Sequence, residues 1–273
     1  MGRISGDLVR HKLATRTFGQ NVISINQIGS TNAELKAFAR RGAPEGLLYL
    51  TEEQLAGRGR LGRDWYAPPG SSLLLSLLFR PGKVVAANQV QRLTMLCSLA
   101  MADAIETQTD LVVDLKWPND LVWKDGKKLA GILTELEVED DKVAWIVVGM
   151  GLNVNIDFSK QANETGNGGP PLAQTATSLS MILQRDTGAD RLPILQKFLV
   201  NVERRYEALQ EGKLPHQEWG RRLAGLGKSV TIAGPDETYR GIMVGVDENG
   251  ALLLKQADGS TSTIIVGDLS LRW

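Results

Sequence analysis

Ser71 to Phe79 is mostly apolar without alternation, the pattern of a strand buried on both faces. Residues 1 to 22 are mixed and aperiodic; Val22-Ile23-Ser24-Ile25, ending near Gly29, and Gly46 to Glu53 then predict strands. Between those strands Leu35, Phe38 and Ala39 form one apolar face of a short helix with Ser30-Thr31 as N-cap chemistry and Gly42 as its stop. Ala86 to Gln108 has helical period and length. Strand patterns follow at Leu111 to Leu115, Asp120 to Trp123, Leu129 to Glu137 and Val143 to Val148, and Asp125-Gly126 predicts a hairpin between the middle pair. Asn163 to Gly169, before Pro170-Pro171, predicts a loop, and helices are expected near Leu179 to Gln184 and over Leu192 to Glu211, the second opened by Asp190 and Pro193. Beyond Gly225 the pattern changes to short strands at Val230 to Ile232, Tyr239 to Val246, Ala251 to Lys255 and Ser262 to Val266. The turns Gly234-Pro235, Glu248-Asn249-Gly250 and Asp258-Gly259 separate them, as in a small β-barrel.

The composition, 273 residues with 42% hydrophobic and 23% charged, is that of a globular chain holding one large domain and a small one. Thirty-one Lys and Arg balance 31 Asp and Glu, so no global basic field recruits nucleic acid and any anion recognition is local. The lone cysteine, Cys97, sits in an apolar run, against disulfides and for a reducing compartment. No apolar stretch has the length of a signal peptide or a membrane span, and the cytoplasm is the expected location.

Candidate chemistry begins at Gln54 to Gly70, where Arg58, Arg60 and Arg63 lie in a backbone loosened by Gly57, Gly59 and Gly62. The Gly-x-Gly-x-x-Gly spacing matches a dinucleotide fingerprint, but Pro68, Pro69 and Gly70 leave no room for the helix such a loop must open. The loop reads instead as an anion grip, its like charges repelling until an anion arrives. Lys116-Trp117-Pro118-Asn119-Asp120 ends a strand, with Pro118 expected to hold the turn extended. Lys128 stands at the mouth of Leu129-Ala130-Gly131, where Gly131 lets a ligand approach the backbone, and Gly149-Met150-Gly151-Leu152-Asn153 ends another strand. These strand ends suggest one ligand site roofed by the arginine loop. Duller roles stand beside these: Lys127 is as basic as Lys128, Asp120 could cap a turn, Asn153 could be a turn residue, and Trp65 could be a lid or a core aromatic.

These motifs, Gly57 to Trp65, Lys116 to Leu121, Lys128 to Leu133 and Gly149 to Asn153, resemble in order the signatures of biotin protein ligases. Ser30-Thr31-Asn32 resembles that family's biotin-binding start, and Gly250 to Leu254 with Leu269-Ser270-Leu271-Arg272 resembles its C-terminal SH3-like module. The resemblance implies activation of biotin by ATP and Mg2+ to biotinyl-5′-adenylate. The biotinyl group then passes to a lysine of a biotin carboxyl carrier protein or domain of acetyl-CoA carboxylase. It implies catalytic roles for Arg58, Arg60, Lys128 and Asp120, with Asp120 also the metal residue. Biotin contacts are implied for Ser30, Thr31, Asn32, Gln54, Gly57, Arg58, Gly59, Arg60, Lys128 and Gly131. ATP contacts are implied for Arg60, Trp65, Lys116, Asn119, Asn153 and Arg272.

The expected fold is α+β: a class II synthetase-like domain over 1–225, with a mixed, largely antiparallel sheet and helices against one face, then an SH3-like barrel over 226–273. About 25 residues precede the first motif, fewer than the roughly 60 of a winged helix-turn-helix, so a single-function ligase without DNA binding is expected. Lipoate or octanoyl ligation or transfer is the rival activity, against which the arginine-rich loop and Trp65 speak, and a non-catalytic biotin sensor would be expected to lack Lys128 or the loop arginines. Val143 to Val148 is apolar enough for a homodimer interface or for a buried core.

Overall fold

The apolar run becomes a strand, Ser72–Phe79, with every residue buried near the centre of the larger sheet. The computed structural model describes residues 3–161, 164–165, 170–184, 191–235 and 237–270. Seven strands, β1 Val22–Ile28, β2 Leu48–Gln54, β3 Ser72–Phe79, β4 Asp114–Lys116, β5 Asp120–Val122, β6 Lys128–Glu139 and β7 Lys142–Asn153, lie in the order β1-β2-β3-β7-β6-β5-β4. β1 and β2 are parallel and the other pairings antiparallel. The helices are α1 Gly6–Arg10, α2 Thr31–Arg40, α3 Gln91–Thr109, α4 Leu172–Thr175, α5 Leu179–Leu183, α6 Arg191–Gln210 and α7 His216–Arg221. The Asp190 helix start and most of the Asn163 to Gly169 loop lie outside the described residues.

Helices cover both faces of this sheet rather than the expected one. Leu48, Leu50, Leu75, Leu77, Ile146 and Val148 join α3 and α6 in the main core. Residues of the opposite parity, Leu47, Tyr49, Leu78, Trp145 and Val147, pack with Leu35 and Ala39 of α2 in a second cluster. Strands that are apolar at both parities can bury both faces only if something covers each. Beyond the N-terminus of α2 that second face carries glycines and charges, and there the cleft lies.

The apolar run Val143 to Val148 and the Gly149 to Asn153 strand end form one strand, β7, because β3 and β6 hydrogen-bond it on both sides through Gly149 and Gly151. Val143 to Val148 thus lies in the interior of the chain's own sheet, which accounts for its apolarity. The aperiodic N-terminal stretch still forms α1, capped by the Ser5 hydroxyl accepting from Leu8 N.

A second sheet is antiparallel, in the order β11-β10-β9-β8-β12, from β8 Ser229–Ala233, β9 Thr238–Val246, β10 Leu252–Lys255, β11 Thr261–Ile264 and β12 Asp268–Ser270. It is docked on the first without a free linker. Leu115 N donates to Arg222 O at 2.9 Å, Ala224 N to Leu115 O at 2.7 Å, and the Trp117 indole to Gly250 O at 3.0 Å.

Helices α3, α6 and α7 are tied together by Arg205, which donates to Glu218 at 2.6 and 2.8 Å and also to Asp103, itself bonded by Arg222. The Arg205 hydrogen bond holds the Glu218 carboxyl below the ordinary glutamate range. A depressed carboxyl stabilises the fold above its unfolded value and loses that contribution as pH falls through the folded value. Glu218→Gln is therefore expected to cost up to about 1 kcal/mol at neutral pH, since the pair is partly exposed and screened. The penalty should shrink towards nothing well below pH 4.5, as read by urea denaturation of both proteins across that range.

Candidate active site

Sheet register assembles the site. Lys116 pairs with Asp120, Asp120 with Gly131, Gly131 with Gly151 and Gly151 with Leu74, so two charged residues and two glycines lie on one rung. Residues on one rung point to one face, here the face whose other half is covered by α2. Between Lys116 and Asp120 the chain reverses tightly through a cis Trp117–Pro118 peptide, with Asn119 N donating to Lys116 O at 3.1 Å. The expected extended corner is thus a hairpin turn. A bulge between Leu121 and Val122 places Lys128 opposite Val122, re-aiming it towards the cleft. Its ammonium lies 2.8 Å from Asp120 Oδ1, whereas Lys127 pairs with Asp125 at 3.9 Å. The register separates the two lysines as their composition could not.

The arginine segment is a small hairpin. Trp65 N donates to Gly57 O at 3.0 Å, Gly59 N to Arg63 O at 2.6 Å, and the tip is a single 3₁₀ turn, Arg60–Gly62, with positive φ at Leu61 and Gly62. This short turn is all the helix that the prolines permit. The repulsion expected among the arginines is met inside the chain: Asp268 of β12 pairs with Arg63 and lies 3.6 Å from Arg60. Arg60 also donates to Asn119 Oδ1 at 3.4 Å, and Asn119 Nδ2 to Ile132 O at 2.6 Å. Burial lowers the pKa of the Arg60 guanidinium, with Asp268 and Asp120 opposing, and lowers that of Lys116, with Asp120 opposing.

The Trp65 indole occupies the space over the two glycines. A Cβ on Gly151 would meet its indole at 2.4 Å and one on Gly131 at 2.9 Å, and the Lys128 ammonium stands 5.4 Å from its ring centre. The ring is half-buried, so it is not a core aromatic. It borders two spaces: a cleft of about 620 Å3 and a recess of about 40 Å3, with Gly59 and Asn119 also on both.

The larger cleft takes in Arg60, Lys116, Asp120, Lys128 and Asn153; the recess takes in Ser30, Thr31, Asn32, Gln54, Arg58 and Gly131. Gly57 lines neither and serves backbone packing, 3.1 Å from Trp65 O at its Cβ position. Arg272 lies outside the described residues. Ser30 occupies the N-cap position of α2 but makes no side-chain cap; the Thr31 backbone N–H and hydroxyl lie 2.8 and 3.1 Å from Gln54 Oε1 instead. Asn153 donates to Thr177 O at 3.0 Å, more than a turn residue would, leaving its buried Oδ1 without a partner. Sequence reasoning missed Asp268 and the apolar wall of Tyr66, Phe158, Leu172 and Ala176, which only tertiary structure brings to the cleft.

With this geometry in hand, residues 24–153 match the model of the Biotin/lipoate A/B protein ligase family, and residues 225–272 match the Biotin protein ligase C terminal domain. The bifunctional ligase/repressor BirA of Bacillus subtilis is 33% identical over 260 residues, covering 94% of this chain and 76% of that protein. The chain belongs to the biotin protein ligase family. Another member, the biotin–[acetyl-CoA-carboxylase] ligase of Paracoccus denitrificans, is 33% identical over 84% of this chain and 92% of its own length. A biotin protein ligase from Aquifex aeolicus, solved with biotin and ATP, superposes with a TM-score of 0.74 at 30% identity, covering 93% of this chain and 99% of that one.

In this biotin protein ligase the fit of Trp65 on glycine is testable. Gly151→Ala should lift the ring from the sheet and cost about 1–3 kcal/mol as an overpacked substitution. Acrylamide quenching, compared with Trp65→Phe in both backgrounds, is expected to show Trp65 emission more accessible in the alanine variant; equal quenching would refute the fit.

Proposed function

We propose that the chain activates biotin with ATP as biotinyl-5′-adenylate and transfers the biotinyl group to a lysine of a carboxylase biotin carrier. The observation that carries this reading is the recess beside Thr31 and Gln54 meeting the larger cleft at Trp65, among Arg58, Arg60, Lys116 and Lys128. Two substrates bound in adjoining spaces would put their reacting atoms among cations. A carboxylate oxygen attacks the α-phosphorus and pyrophosphate leaves; the acceptor amine then attacks the acyl carbon and AMP leaves.

We assign the ureido ring to Ser30, Thr31 and Gln54, whose oxygens and amide can match its donors and acceptor. Arg58 and the Gly59 amide would hold the biotin carboxylate and Arg60 the α-phosphate, offsetting the repulsion of two anions. Lys128 stands beside Gly131, its Nζ 3.0 Å from the glycine's Cβ position, where an ammonium can stabilise charge on both sides of the forming bond. The unpaired Asn153 Oδ1 suits the amine of adenine, with Trp65 and the wall around Phe158 offering apolar surface. Lys116 and Asn119 complete the nucleotide side, and Arg272 is retained there on family resemblance.

Among the described residues no three His, Cys, Asp or Glu side chains cluster as a metal cage. The donor set fits a Mg2+ ion taking one carboxylate, Asp120, and its other ligands from phosphate and water. When bound, such an ion neutralises phosphate charge.

We divide the chain into a catalytic domain, 1–225, and an SH3-like module, 226–273, whose Asp268 engages Arg60 and Arg63 of the arginine hairpin. The balanced charge favours a protein substrate over DNA, and a homodimer would have to use surfaces other than the buried Val143 to Val148. No described helix is long and apolar enough to cross a membrane. The single buried thiol, Cys97, its pKa pushed up by burial, suits a cytoplasmic setting.

The test is biotin-dependent release of pyrophosphate from ATP, followed by transfer of labelled biotin to a purified carboxyl-carrier domain. Lipoate in place of biotin should release none; release with lipoate alone would favour the rival activity. In single-turnover assays Lys128→Ala is expected to slow adenylate formation about 10²–10³-fold, whereas Arg60→Ala should chiefly let adenylate escape before transfer. Adenylate formed at the parent rate by Lys128→Ala would overturn the role given to that lysine.

A further inference from the structure

We infer that Gln91, the first residue of α3, is a positioning residue for the cleft. Through the Pro118 carbonyl it fixes the corner that presents Lys116 and Asp120, and the β9–β10 turn of the C-terminal sheet holds Gln91 in place. The inference rests on the reading of that corner as part of the nucleotide side of the ligase site.

Strand pairing alone secures the corner poorly. β4 and β5 hold three residues each, and β4 is the edge of its sheet. The corner's backbone bonds run from Asn119 N to Lys116 O at 3.1 Å and from Ile132 N to Asn119 O at 3.0 Å. Pro118 brings no N–H, and its carbonyl accepts from Gln91 Nε2 at 2.5 Å. A carbonyl can only accept, so the nitrogen end of the Gln91 amide must face it, which settles the direction of that side chain. Gln91 lines neither the cleft nor the recess, and its effect on the site is exerted through Pro118.

Gln91 is itself gripped by the C-terminal sheet. A Cβ on Gly250 would lie 2.4 Å from Gln91 Cγ and 3.2 Å from Gln91 Cβ, so the stem of the side chain rests on the glycine backbone. Gly250 also has a φ of +83°, which glycine adopts without strain. The turn that carries it is braced from within, because the Asp247 carboxylate accepts from Asn249 N at 2.9 Å and from Ala251 N at 2.8 Å. Arg92, the next residue of α3, is buried and ties the turn to the helix, donating to Glu248 O at 3.2 Å and to Asn249 Oδ1 at 2.9 Å. The Trp117 indole, bonded to Gly250 O, joins the corner to the same turn. Turn, helix start and corner thus form one node.

What the node fixes is an arrangement of charge. Lys116 and Asp120 pair across the hairpin, and Asp120 Oδ1 lies 2.8 Å from the Lys128 ammonium. Misplacing such groups by about 1 Å can cost about 10²-fold in rate.

Gln91→Met tests this, since it keeps an unbranched stem against Gly250 and removes the donor. Calorimetric titration of the full chain with biotin counts the binding sites and gives their affinity. Single-turnover adenylate formation at saturating biotin, ATP and Mg2+ is then expressed per counted site. The variant should form adenylate about tenfold more slowly per site. Biotin affinity should stay within about twofold, because the recess is built on α2, β2 and the Gly131–Gly151 rung. A purely structural role for Gln91 would lower the number of sites and leave the rate per site parental. That result overturns the inference, as does a loss of biotin affinity equal to the loss of rate. If Gln91→Met gives no biotin-binding protein, Gly250→Ala, whose methyl displaces the Gln91 stem, should show the same split, and a parental rate per site there overturns it equally. A parent protein that forms no adenylate from biotin and ATP overturns the functional reading and this inference with it, a result distinct from the others.

Discussion

The pairing of Gly131 with Gly151 is the constraint on which the site depends. Side chains stand above a sheet wherever a Cβ exists, so a flat substrate or a flat indole can lie on the backbone only where two neighbouring strands both lack one. Charged residues continue the same rung on β5 and β4, while α2 begins a rung or two away. The floor of the cleft is therefore bare and apolar at its middle, cationic on one side and hydroxyl-rich on the other. A one-residue slip of β6 against β7 would turn Gly131 to the core and push Ala130 into the cleft.

The recess and the cleft hold their polar groups differently. In the recess, beside Arg58, the hydroxyl and amide groups of Asn32, Ser76, Thr31 and Gln54 are held by directional hydrogen bonds to one another. In the cleft, Arg60, Lys116, Lys128 and Asp120 are partly desolvated, and mutual pairing offsets that cost. Directional bonds suit recognition of a neutral ring, and concentrated charge suits a reaction between anions.

Much of this was legible in the sequence. Unbroken apolar runs mark the central strands, Asp125-Gly126 marks the β5–β6 hairpin, and Arg58, Arg60, Lys116, Lys128 and Asn153 stand out by residue type and local motif without any knowledge of register. What local pattern could not carry was anything fixed by a distant partner. Both parities of β2, β3 and β7 are apolar, which implies two covered faces, but only the short α2 lies on the second, and its pattern did not reveal which face it takes. Gly149 and Gly151 are poor strand formers, and ladder bonds on both sides override that preference to carry β7 through to Asn153. Asp268 gave no signal, since a carboxylate near a turn looks like any solvated charge until β12 is laid against the arginine hairpin.

That carboxylate has a thermodynamic consequence. Asp268 belongs to the C-terminal sheet, and the guanidiniums it engages belong to the hairpin above the cleft. An anion that takes those guanidiniums competes with Asp268, so anion affinity and the docking of the C-terminal sheet are linked functions with a single coupling free energy. Whatever loosens the sheet frees the arginines for the anion, and the anion in its turn loosens the sheet by the same factor.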